Sequence, residues 1–256
     1  MSLLSIHDLT HWFGGLRAVS EFNLELQPGE LVALIGPNGA GKTTVFNLIT
    51  GVYRPTSGAI IFQGVSLLGM PTHAIIDSGV ARTFQSIRLF RELSVLDNVR
   101  IGQYAETGYS VIEAMLQLPR SRAREAAITR RALELLAIFG LADLADTISK
   151  NLPYGQQRRL EIARALATGP RLLLLDEPAA GMNPAEIGQL MQLILGLRRE
   201  FQLTILLIEH QMRVVMGIAE RIQVLDFGQT IAEGTPSEIQ NDPRVIEAYL
   251  GEEAVA

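Results

Sequence analysis

One glycine-rich segment of the sequence has the residue types and spacing of a phosphate-binding loop. Residues 36–43 read G-P-N-G-A-G-K-T and match the pattern G-x-x-x-x-G-K-[ST] between an apolar run and a helical stretch. The glycines of this pattern let backbone N–H groups turn toward phosphate oxygens, and the N-terminus of the following helix adds partial positive charge. An ordinary glycine turn is the alternative, and the complete motif in this context disfavours it.

Lys42 and Thr43 follow the glycines and supply the charge and the metal ligand that the motif requires. The Lys42 ammonium is expected to reach the β- and γ-phosphates of a nucleotide, and the Thr43 hydroxyl is expected to bind Mg²⁺. The predicted nucleotide-binding residues of this segment are Gly36, Pro37, Asn38, Gly39, Ala40, Gly41, Lys42, Thr43 and Thr44.

Two adjacent carboxylates end a later apolar run, R-L-L-L-L-D-E-P at residues 171–178. Asp176 is expected to emerge at the carboxyl end of a buried strand beside the phosphate-binding loop, where it suits a Mg²⁺ contact through water. Glu177 is then placed to polarise an attacking water, a role typically worth ~10²–10⁴-fold in rate. A simple turn with two carboxylates is the alternative, and the phosphate-binding loop upstream disfavours it.

The elements that must position these residues alternate between strand and helix. Residues 31–35 and 172–175 are short apolar runs of the kind found in buried strands, and strands are also predicted over 3–9, 18–26 and 57–64. From about residue 88 the period is mostly helical, with helices predicted over 95–104, 122–139 and 156–167. Strand–helix alternation then returns. The pattern predicts an α/β core interrupted by a helical subdomain.

The composition excludes several functional classes. The 256 residues are 48% hydrophobic and 19% charged, which predicts a globular chain with a sizeable core. The sequence has no cysteine, so disulfides, thiolate metal sites and cysteine nucleophiles are excluded, and its four histidines are too scattered for a zinc cluster. The formal net charge of -5 argues against a surface that coats nucleic acid.

No segment has the features of membrane insertion. The N-terminus M-S-L-L-S-I-H-D lacks the basic start and apolar stretch of a signal peptide, and the apolar runs are far shorter than the ~20 residues of a membrane span. We therefore expect a soluble or peripheral protein. The arginine-rich segment 120–131 is interpreted as a solvated helix face, with a surface for anionic lipid or a partner as the alternative.

With these motifs, the chain resembles over nearly its whole length the ATP-binding subunits of ATP-binding-cassette (ABC) transporters. The resemblance implies an α/β fold: a P-loop NTPase ABC cassette with a RecA-like core, an antiparallel β-subdomain and an inserted helical subdomain. It implies a single ABC ATPase domain over residues 1–256. The nucleotide-binding core with its β-subdomain would comprise residues 1–86 and 164–256, and the helical signature subdomain residues 87–163. The implied cofactors are ATP and Mg²⁺.

Three further segments acquire roles only through this resemblance. In A-R-T-F-Q-S, Gln85 would contact Mg²⁺ and report its state to a membrane subunit. In L-L-I-E-H-Q-M, His210 would contact the γ-phosphate and orient the attacking water. A-A-G-M-N-P-A-E occupies the position of the family's dimer-contact loop, with Gly181 and Asn183 as the predicted contacts. The aspartate usual in that loop is absent, and Asn183 occupies the corresponding region.

An aromatic residue before the first long strand stacks on adenine in this family. Phe13 in H-W-F-G-G matches that position best, with Trp12 as its rival, and Val19 is expected on the other side of the base. A phenylalanine provides a stacking face without the hydroxyl of a tyrosine. Packing into the core is the alternative role of Phe13.

N-L-P-Y-G-Q-Q at residues 151–157 aligns with the family's signature, L-S-G-G-Q. By resemblance, this helix start contacts the γ-phosphate held by the opposite subunit, so the segment implies a dimer. Proline replaces the usual serine, and tyrosine replaces a glycine. Asn151 is predicted to cap the helix, and backbone amides around Gly155 and Gln156 to make the phosphate contact. The signature residues are Leu152, Pro153, Tyr154, Gly155 and Gln156.

Longer segments resemble the ATPase subunits of branched-chain amino acid importers, among them V-A-R-T-F-Q-S-I-R-L-F and D-E-P-A-A-G-M-N-P. The resemblance implies ATP hydrolysis that energises import of neutral aliphatic amino acids, at the cytoplasmic face of the membrane. The implied partners are two integral-membrane permeases, a second cassette that is identical or a sister subunit, and indirectly an extracytoplasmic substrate-binding protein. No nucleic-acid partner is expected.

Because a cassette does not touch the transported substrate, its sequence leaves alternatives open. Related importers for urea or amides use similar cassettes, and exporters pair theirs with a different membrane domain. ABC ATPases outside transport usually carry a long coiled-coil insert or two fused cassettes, for which this chain has neither room nor heptads. A phosphate-loop kinase would share residues 36–43 but would not need residues 151–159 or His210.

Overall fold

The computed structural model describes residues 2–103 and 119–253. The described residues form two compact units: residues 2–82 with residues 171–253, and residues 83–103 with residues 119–170. In chain order the strands are β1 Leu4–Phe13, β2 Leu16–Leu26, β3 Leu31–Ile35, β4 Ser57–Phe62, β5 Val65–Ser66, β6 Val80–Arg82, β7 Leu172–Asp176, β8 Thr204–Ile208, β9 Arg221–Asp226 and β10 Gln229–Gly234. The helices are α1 Lys42–Ile49, α2 Thr72–Asp77, α3 Val95–Ile101, α4 Pro119–Ile138, α5 Tyr154–Leu166, α6 Pro184–Glu200, α7 Met212–Ile218, α8 Pro236–Gln240 and α9 Pro243–Glu253.

The first unit contains a six-stranded sheet with the order β10-β9-β3-β8-β7-β6. Neighbouring strands from β9 to β6 pair in parallel, and β10 pairs antiparallel with β9. Every residue of β3, β7 and β8 is buried. Burial on both faces is why these strands are continuous apolar runs in the sequence. It also means that the polar residues which end such strands lie at one common edge of the sheet.

A four-stranded antiparallel sheet, ordered β2-β1-β4-β5, accounts for the N-terminal strand patterns. Polar and apolar residues alternate along the second half of β2, where Phe22, Leu24 and Leu26 are buried in the same core as residues of α1. The residues of this core include Leu4, Ile6, Phe22, Leu24, Leu26, Val45, Phe46 and Ile60. The predicted α/β fold with parallel and antiparallel sheets is confirmed.

The second unit is helical. α3 packs against α4 and α5 through buried side chains that include Val99, Leu135, Leu136 and Leu160. The helix predicted over 122–139 is observed as α4, and the one predicted over 156–167 as α5. α4 ends just before Gly140, whose φ of 67° lies in the left-handed region that favours glycine after a helix. The helix predicted over 95–104 is observed as α3 and ends at Ile101; residue 104 lies outside the described residues.

Within the described ranges, no helix combines the length and the apolar composition needed to cross a membrane.

Candidate nucleotide-binding site

The glycine-rich loop connects β3 to α1, and two of its glycines have no room for a side chain. A Cβ built on Gly36, where φ is 147°, would lie 1.9 Å from the backbone oxygen of Leu225. A Cβ on Gly41, where φ is 103°, would lie 2.5 Å from the backbone oxygen of Ala18. The loop is therefore pressed against two strands, and only glycine permits both the backbone conformation and the close approach.

The helix start that follows the loop has the features of an anion-binding site. The cap residue of α1, Gly41, provides no side-chain hydrogen bond, and the first turn has no acidic residue, so the backbone N–H groups of this helix start suit phosphate oxygens. The ammonium of Lys42 is nearly buried and donates to the carbonyl oxygens of Gly36 and Pro37, at 2.7 Å each. Backbone carbonyls of the loop thus hold the Lys42 ammonium, whereas the neighbouring residue Thr43 is exposed.

Asp176 ends β7 and forms a buried ion pair with Arg82, which ends the neighbouring strand β6. The Arg82 Nη2 to Asp176 Oδ2 distance is 2.8 Å, and the two side chains are only 5% and 2% exposed. Arg82 also donates to Oδ1 of Asn47 at 2.7 Å and lies 5.3 Å from the ring centroid of Phe46, both on α1. The arginine therefore joins the strand that carries Asp176 to the helix that follows the loop.

Glu177 and His210 are 33 residues apart in sequence and in contact in the structure. The distance from His210 Nε2 to Glu177 Oε1 is 2.7 Å. Glu177 has a φ of 48°, which is uncommon for a residue with a side chain, and its N–H donates to the carbonyl of Ile208 at 2.9 Å. A carboxylate held beside an imidazole can accept a proton from water while the histidine orients the reactants.

Glu209 is a buried acid of this region that motif reading does not identify. Its side chain accepts hydrogen bonds from the N–H groups of Ala179, His210 and Gln211. Burial raises the pKa of Glu209, the three backbone bonds oppose that increase, and the negative charge of Glu177 adds to it. A charged residue inside an otherwise apolar strand end, L-L-I-E-H, is the signal in the sequence that could have indicated this site.

The predicted dimer-contact loop is followed directly by α6, and Asn183 is the N-cap of that helix. Its Oδ1 accepts from the N–H groups of Ala185 and Glu186 at 3.0 Å each, and Glu186 accepts in return from the Asn183 N–H. These reciprocal bonds form a capping box. Gly181 has a φ of 73° within the preceding turn. A contact of Gly181 and Asn183 with a second cassette stays a prediction.

Phe13, the predicted adenine-stacking residue, belongs to an aromatic cluster with His11 and Tyr53. Its ring packs edge-on against both, with centroid distances of 4.5 and 5.2 Å, and 42% of the residue remains exposed. Its rival Trp12 is also exposed, and the guanidinium of Arg17 lies 5.8 Å from the Trp12 ring centroid. Val19, the residue predicted on the other side of the base, is fully buried in the core.

Gln85 and the signature segment belong to the second unit. The fully buried Arg158 of α5 donates to the carbonyl oxygens of Phe84 and Gln85, at 2.6 and 2.7 Å, and pairs with the buried Glu161. Sequence reasoning missed this arginine, although it lies in the Q-Q-R-R part of the signature segment. The backbone of Gln85 is therefore tied to the helix that the signature begins.

The predicted capping role of Asn151 is wrong. Asn151 ends a short 3-10 turn, and Leu152 and Pro153 are extended, with ψ values of 145° and 152°. Pro153 is itself the cap residue of α5, without a side-chain hydrogen bond, and Tyr154 is the first helical residue. Two extended residues therefore separate Asn151 from the first helical residue. The carbonyl of Pro153 accepts from the N–H of Gln156 at 3.0 Å.

The predicted metal ligands are oxygen donors of three kinds: the hydroxyl of Thr43, the carboxylate of Asp176 and the amide of Gln85. Hard oxygen ligands suit Mg²⁺, which keeps few protein ligands and completes its shell with water and phosphate oxygens. The part of the chain that the structure describes contains no group of three or more His, Asp or Glu residues able to hold a metal ion alone. Within the first unit, the oxygens of Thr43 and Asp176 are donors of the kind that suits a magnesium ion arriving with a nucleotide.

Comparison with known proteins identifies the family. Residues 19–180 match the family model described as ABC transporter, and residues 229–255 match the one described as branched-chain amino acid ATP-binding cassette transporter. The first match spans more than half of the chain, so the chain belongs to the ABC transporter family. The family predicted from the sequence is confirmed, and membership implies that the chain binds a nucleotide.

One relative and two solved structures are similar to this chain over more than nine-tenths of its length. The high-affinity branched-chain amino acid transport ATP-binding protein LivG of Escherichia coli (strain K12) is 50% identical over 98% of both chains. The crystal structure of the ADP conformation of MJ1267, an ATP-binding cassette of an ABC transporter, has a TM-score of 0.85 and 30% identity, covering 98% of this chain and 99% of that one. A dimeric post-hydrolysis structure of the cassette MJ0796, bound to ADP and Pi, has a TM-score of 0.76 and 26% identity, covering 91% and 98%.

Proposed function

We propose that this chain is the ATP-hydrolysing cassette that energises import of branched-chain, neutral aliphatic amino acids through partner permeases. The observation that carries the hydrolytic part is the 2.7 Å contact between Glu177 and His210, at the same sheet edge as the phosphate-binding loop. The transport part is supported by the family match at residues 229–255 and by the name of the Escherichia coli relative. Importers for urea or amides and ABC ATPases outside transport are less favoured, because neither observation points to them.

Nucleotide binding follows from the loop. The backbone N–H groups of residues 36–44 and the N-terminus of α1 surround the phosphates, and Lys42 exchanges its loop carbonyls for β- and γ-phosphate oxygens. Phe13, with Trp12 as its rival, offers an exposed aromatic face for adenine. Val19 reaches the base only through a rearrangement that exposes it. Thr43, Asp176 and Gln85 would hold Mg²⁺, which neutralises charge on the β- and γ-phosphates when bound.

Hydrolysis transfers the γ-phosphoryl group to water. The oxygen of the attacking water bonds to the γ-phosphorus while Glu177 accepts a proton from that water. The bond between the γ-phosphorus and the oxygen that bridges to the β-phosphate breaks in the same step. The products are ADP and inorganic phosphate. His210 stays hydrogen-bonded to Glu177 and orients the water and the γ-phosphate. Glu177 holds an uncommon left-handed backbone conformation, as residues at functional sites often do.

The signature segment would complete the site of a second cassette. The N–H of Gln156 already bonds the Pro153 carbonyl, so the N–H groups of Tyr154 and Gly155, which lack intrahelical acceptors at a helix start, are the better phosphate contacts. The dimeric structure of MJ0796 bound to ADP and Pi, a similar cassette, supports the proposal of a dimer. Two permeases would bind this cassette pair at the cytoplasmic face of the membrane, and an extracytoplasmic binding protein would deliver the substrate.

Two measurements test the proposal. In the first, Glu177→Gln is expected to bind ATP normally and to lose ~10²–10⁴-fold in ATPase rate, and Lys42→Ala to weaken ATP binding. Undiminished turnover of Glu177→Gln would remove Glu177 from its catalytic role. In the second, the complete transporter is purified through a tag on this chain and placed in vesicles. ATP-dependent uptake of leucine, isoleucine and valine is expected, whereas uptake of urea or acetamide in their place would reject the substrate assignment.

A further inference from the structure

We propose that Glu209 is a positioning residue that locks the segment after β7 to the segment after β8, and so keeps Glu177 and His210 in contact. The inference rests on the proposed hydrolytic function of those two residues. Glu209 does not itself act on the substrate in this proposal. It acts through the backbone of the two segments that carry the catalytic side chains.

The side chain of Glu209 bonds both segments. Its Oε1 accepts from the N–H of Ala179, after β7, at 2.8 Å. Its Oε2 accepts from the N–H groups of His210 and Gln211, after β8, at 2.9 and 3.1 Å. The residue is only 2% exposed. The Glu209 carboxylate therefore bridges the gap between the ends of β7 and β8, with one oxygen bonded to the segment after each strand.

Three more hydrogen bonds cross the same gap, and Glu209 lies among them. The N–H of Glu177 donates to the Ile208 carbonyl at 2.9 Å, and Nε2 of Gln211 donates to the Ala179 carbonyl at 3.0 Å. The Glu177–His210 contact is the third. The Glu209 carboxylate supplies the three bonds that fix the backbone on both sides of that catalytic contact.

Glu177 needs such support because its backbone is left-handed, with a φ of 48°. A residue with a side chain held in this region costs free energy and persists only where its surroundings determine the conformation. Ala179 is two residues from Glu177, and its N–H is held by Glu209. The carboxylate thus stabilises the turn in which the strained residue lies.

A neutral side chain cannot replace this carboxylate. An ionised carboxyl group is an acceptor on both oxygens, and its hydrogen bonds to N–H groups are charge-assisted. Glutamine has nearly the same shape but only one acceptor oxygen, and its NH₂ group would face an N–H donor on one of the two sides. Glu209→Gln therefore breaks the link to one segment while the volume of the buried group is kept.

The decisive experiment compares ATP binding and ATPase rate in Glu209→Gln, His210→Ala and the double variant. Glu209→Gln is expected to bind ATP as the unmodified chain does and to lose roughly 10- to 100-fold in kcat, because misplaced catalytic groups cost rate more than affinity. The double variant is expected to be no slower than His210→Ala alone, since Glu209 acts through the same contact. Gln223→Leu is the control, because Gln223 is a buried polar residue whose side chain donates to Asn23 and Thr230 and to neither of the two segments that Glu209 joins.

Each other outcome rejects the inference or the function beneath it. An unchanged kcat in Glu209→Gln, losses that multiply in the double variant, or an equal kcat loss in Gln223→Leu would overturn the positioning role. An unchanged kcat in His210→Ala would instead reject the proposed role of His210, whatever Glu209→Gln does. If Glu209→Gln does not fold, the same comparison is made with Glu209→Asp, which keeps the charge but reaches less far, and an unchanged kcat there contradicts the inference.

Discussion

The guanidinium of Arg82 and the carboxylate of Asp176 are paired at 2.8 Å in the interior of the first unit, at the ends of adjacent parallel strands. The arginine also holds Asn47 on α1, so one side chain connects the strand-end carboxylate to the helix that begins at the phosphate-binding loop. Ionised groups at such depth are tolerated because each is the other's partner.

Removing the arginine is therefore expected to destabilise the protein strongly. Arg82→Met removes the ion pair of Arg82 with the buried Asp176 and its bond to Asn47, and it is expected to lower the free energy of unfolding by about 3–5 kcal/mol. Urea unfolding monitored by circular dichroism measures the loss. The same substitution at Arg244, whose pair with Asp242 is exposed, is the control and is expected to leave the unfolding curve unchanged. Equal effects at the two sites would contradict the structural role of Arg82.

The close approach of the loop backbone to Leu225 predicts a large difference between two glycines. Gly36→Ala would place a methyl group against the Leu225 carbonyl, whereas Gly64→Ala would meet no atom within 4 Å, although both glycines have positive φ. Both variants carry the strain of a left-handed alanine, about 1–2 kcal/mol, and only Gly36→Ala adds an overpacking cost of about 1–3 kcal/mol. Thermal unfolding of the two variants measures the difference, which similar Tm values would disprove.

The start of α5 is expected to tolerate a hydroxyl but not a negative charge. Pro153→Ser restores a capping side chain and is expected to change the ATPase rate only modestly. Gly155→Asp places a carboxylate where the γ-phosphate of the opposite subunit is proposed to bind, and it is expected to abolish ATPase activity while ATP binding to the loop persists. A fully active Gly155→Asp protein that folds normally would refute the backbone contact.

The raised pKa of Glu209 predicts how its contribution to stability depends on pH. Burial is the largest cause, and it raises the pKa above the ordinary value of 4.5, so the folded state holds this proton to higher pH than the unfolded state. Its contribution to stability is then complete below about pH 4.5 and is lost as pH rises through the folded-state pKa. In urea unfolding between pH 4 and 8, Glu209→Gln is expected to remove this decline.

Glu238 provides a control because its pKa is shifted in the opposite direction, downward. Hydrogen bonds from the backbone and the side chain of Thr235 lower the pKa of Glu238, so its contribution is present at neutral pH and is lost on acidification. Glu238→Gln is therefore expected to flatten the acid side of the stability profile. A change of the same sign in the two variants would contradict the pKa assignment of Glu209.

Much of the first unit could be predicted because its signals are local. The loop at 36–44 and the carboxylates at 176–177 each lie within one short motif, and buried parallel strands leave continuous apolar runs. Arg82 could not be predicted in the same way. Its partner Asp176 is 94 residues away, and only the pairing of β6 with β7 brings the two together.

The segment before α5 shows a second limit of sequence reasoning. An asparagine two residues before a proline looks like a helix cap. The backbone conformation between the asparagine and the helix decides whether the asparagine side chain can reach the helix N–H groups. In the structure the extended residues Leu152 and Pro153 separate Asn151 from the helix, and Pro153 is the cap residue; no composition rule specifies their ψ angles. Glu209 is a similar case, because its importance arises from three backbone donors on two separate segments.

The left-handed conformation of Glu177 has an evolutionary consequence. Glycine adopts such a φ freely, so Glu177→Gly would relieve about 1–2 kcal/mol of strain at that position. Selection for stability alone would therefore favour losing this carboxylate. A glutamate at this position reflects a trade-off in which folding stability is lower and the catalytic rate is higher, as is common at the active sites of enzymes.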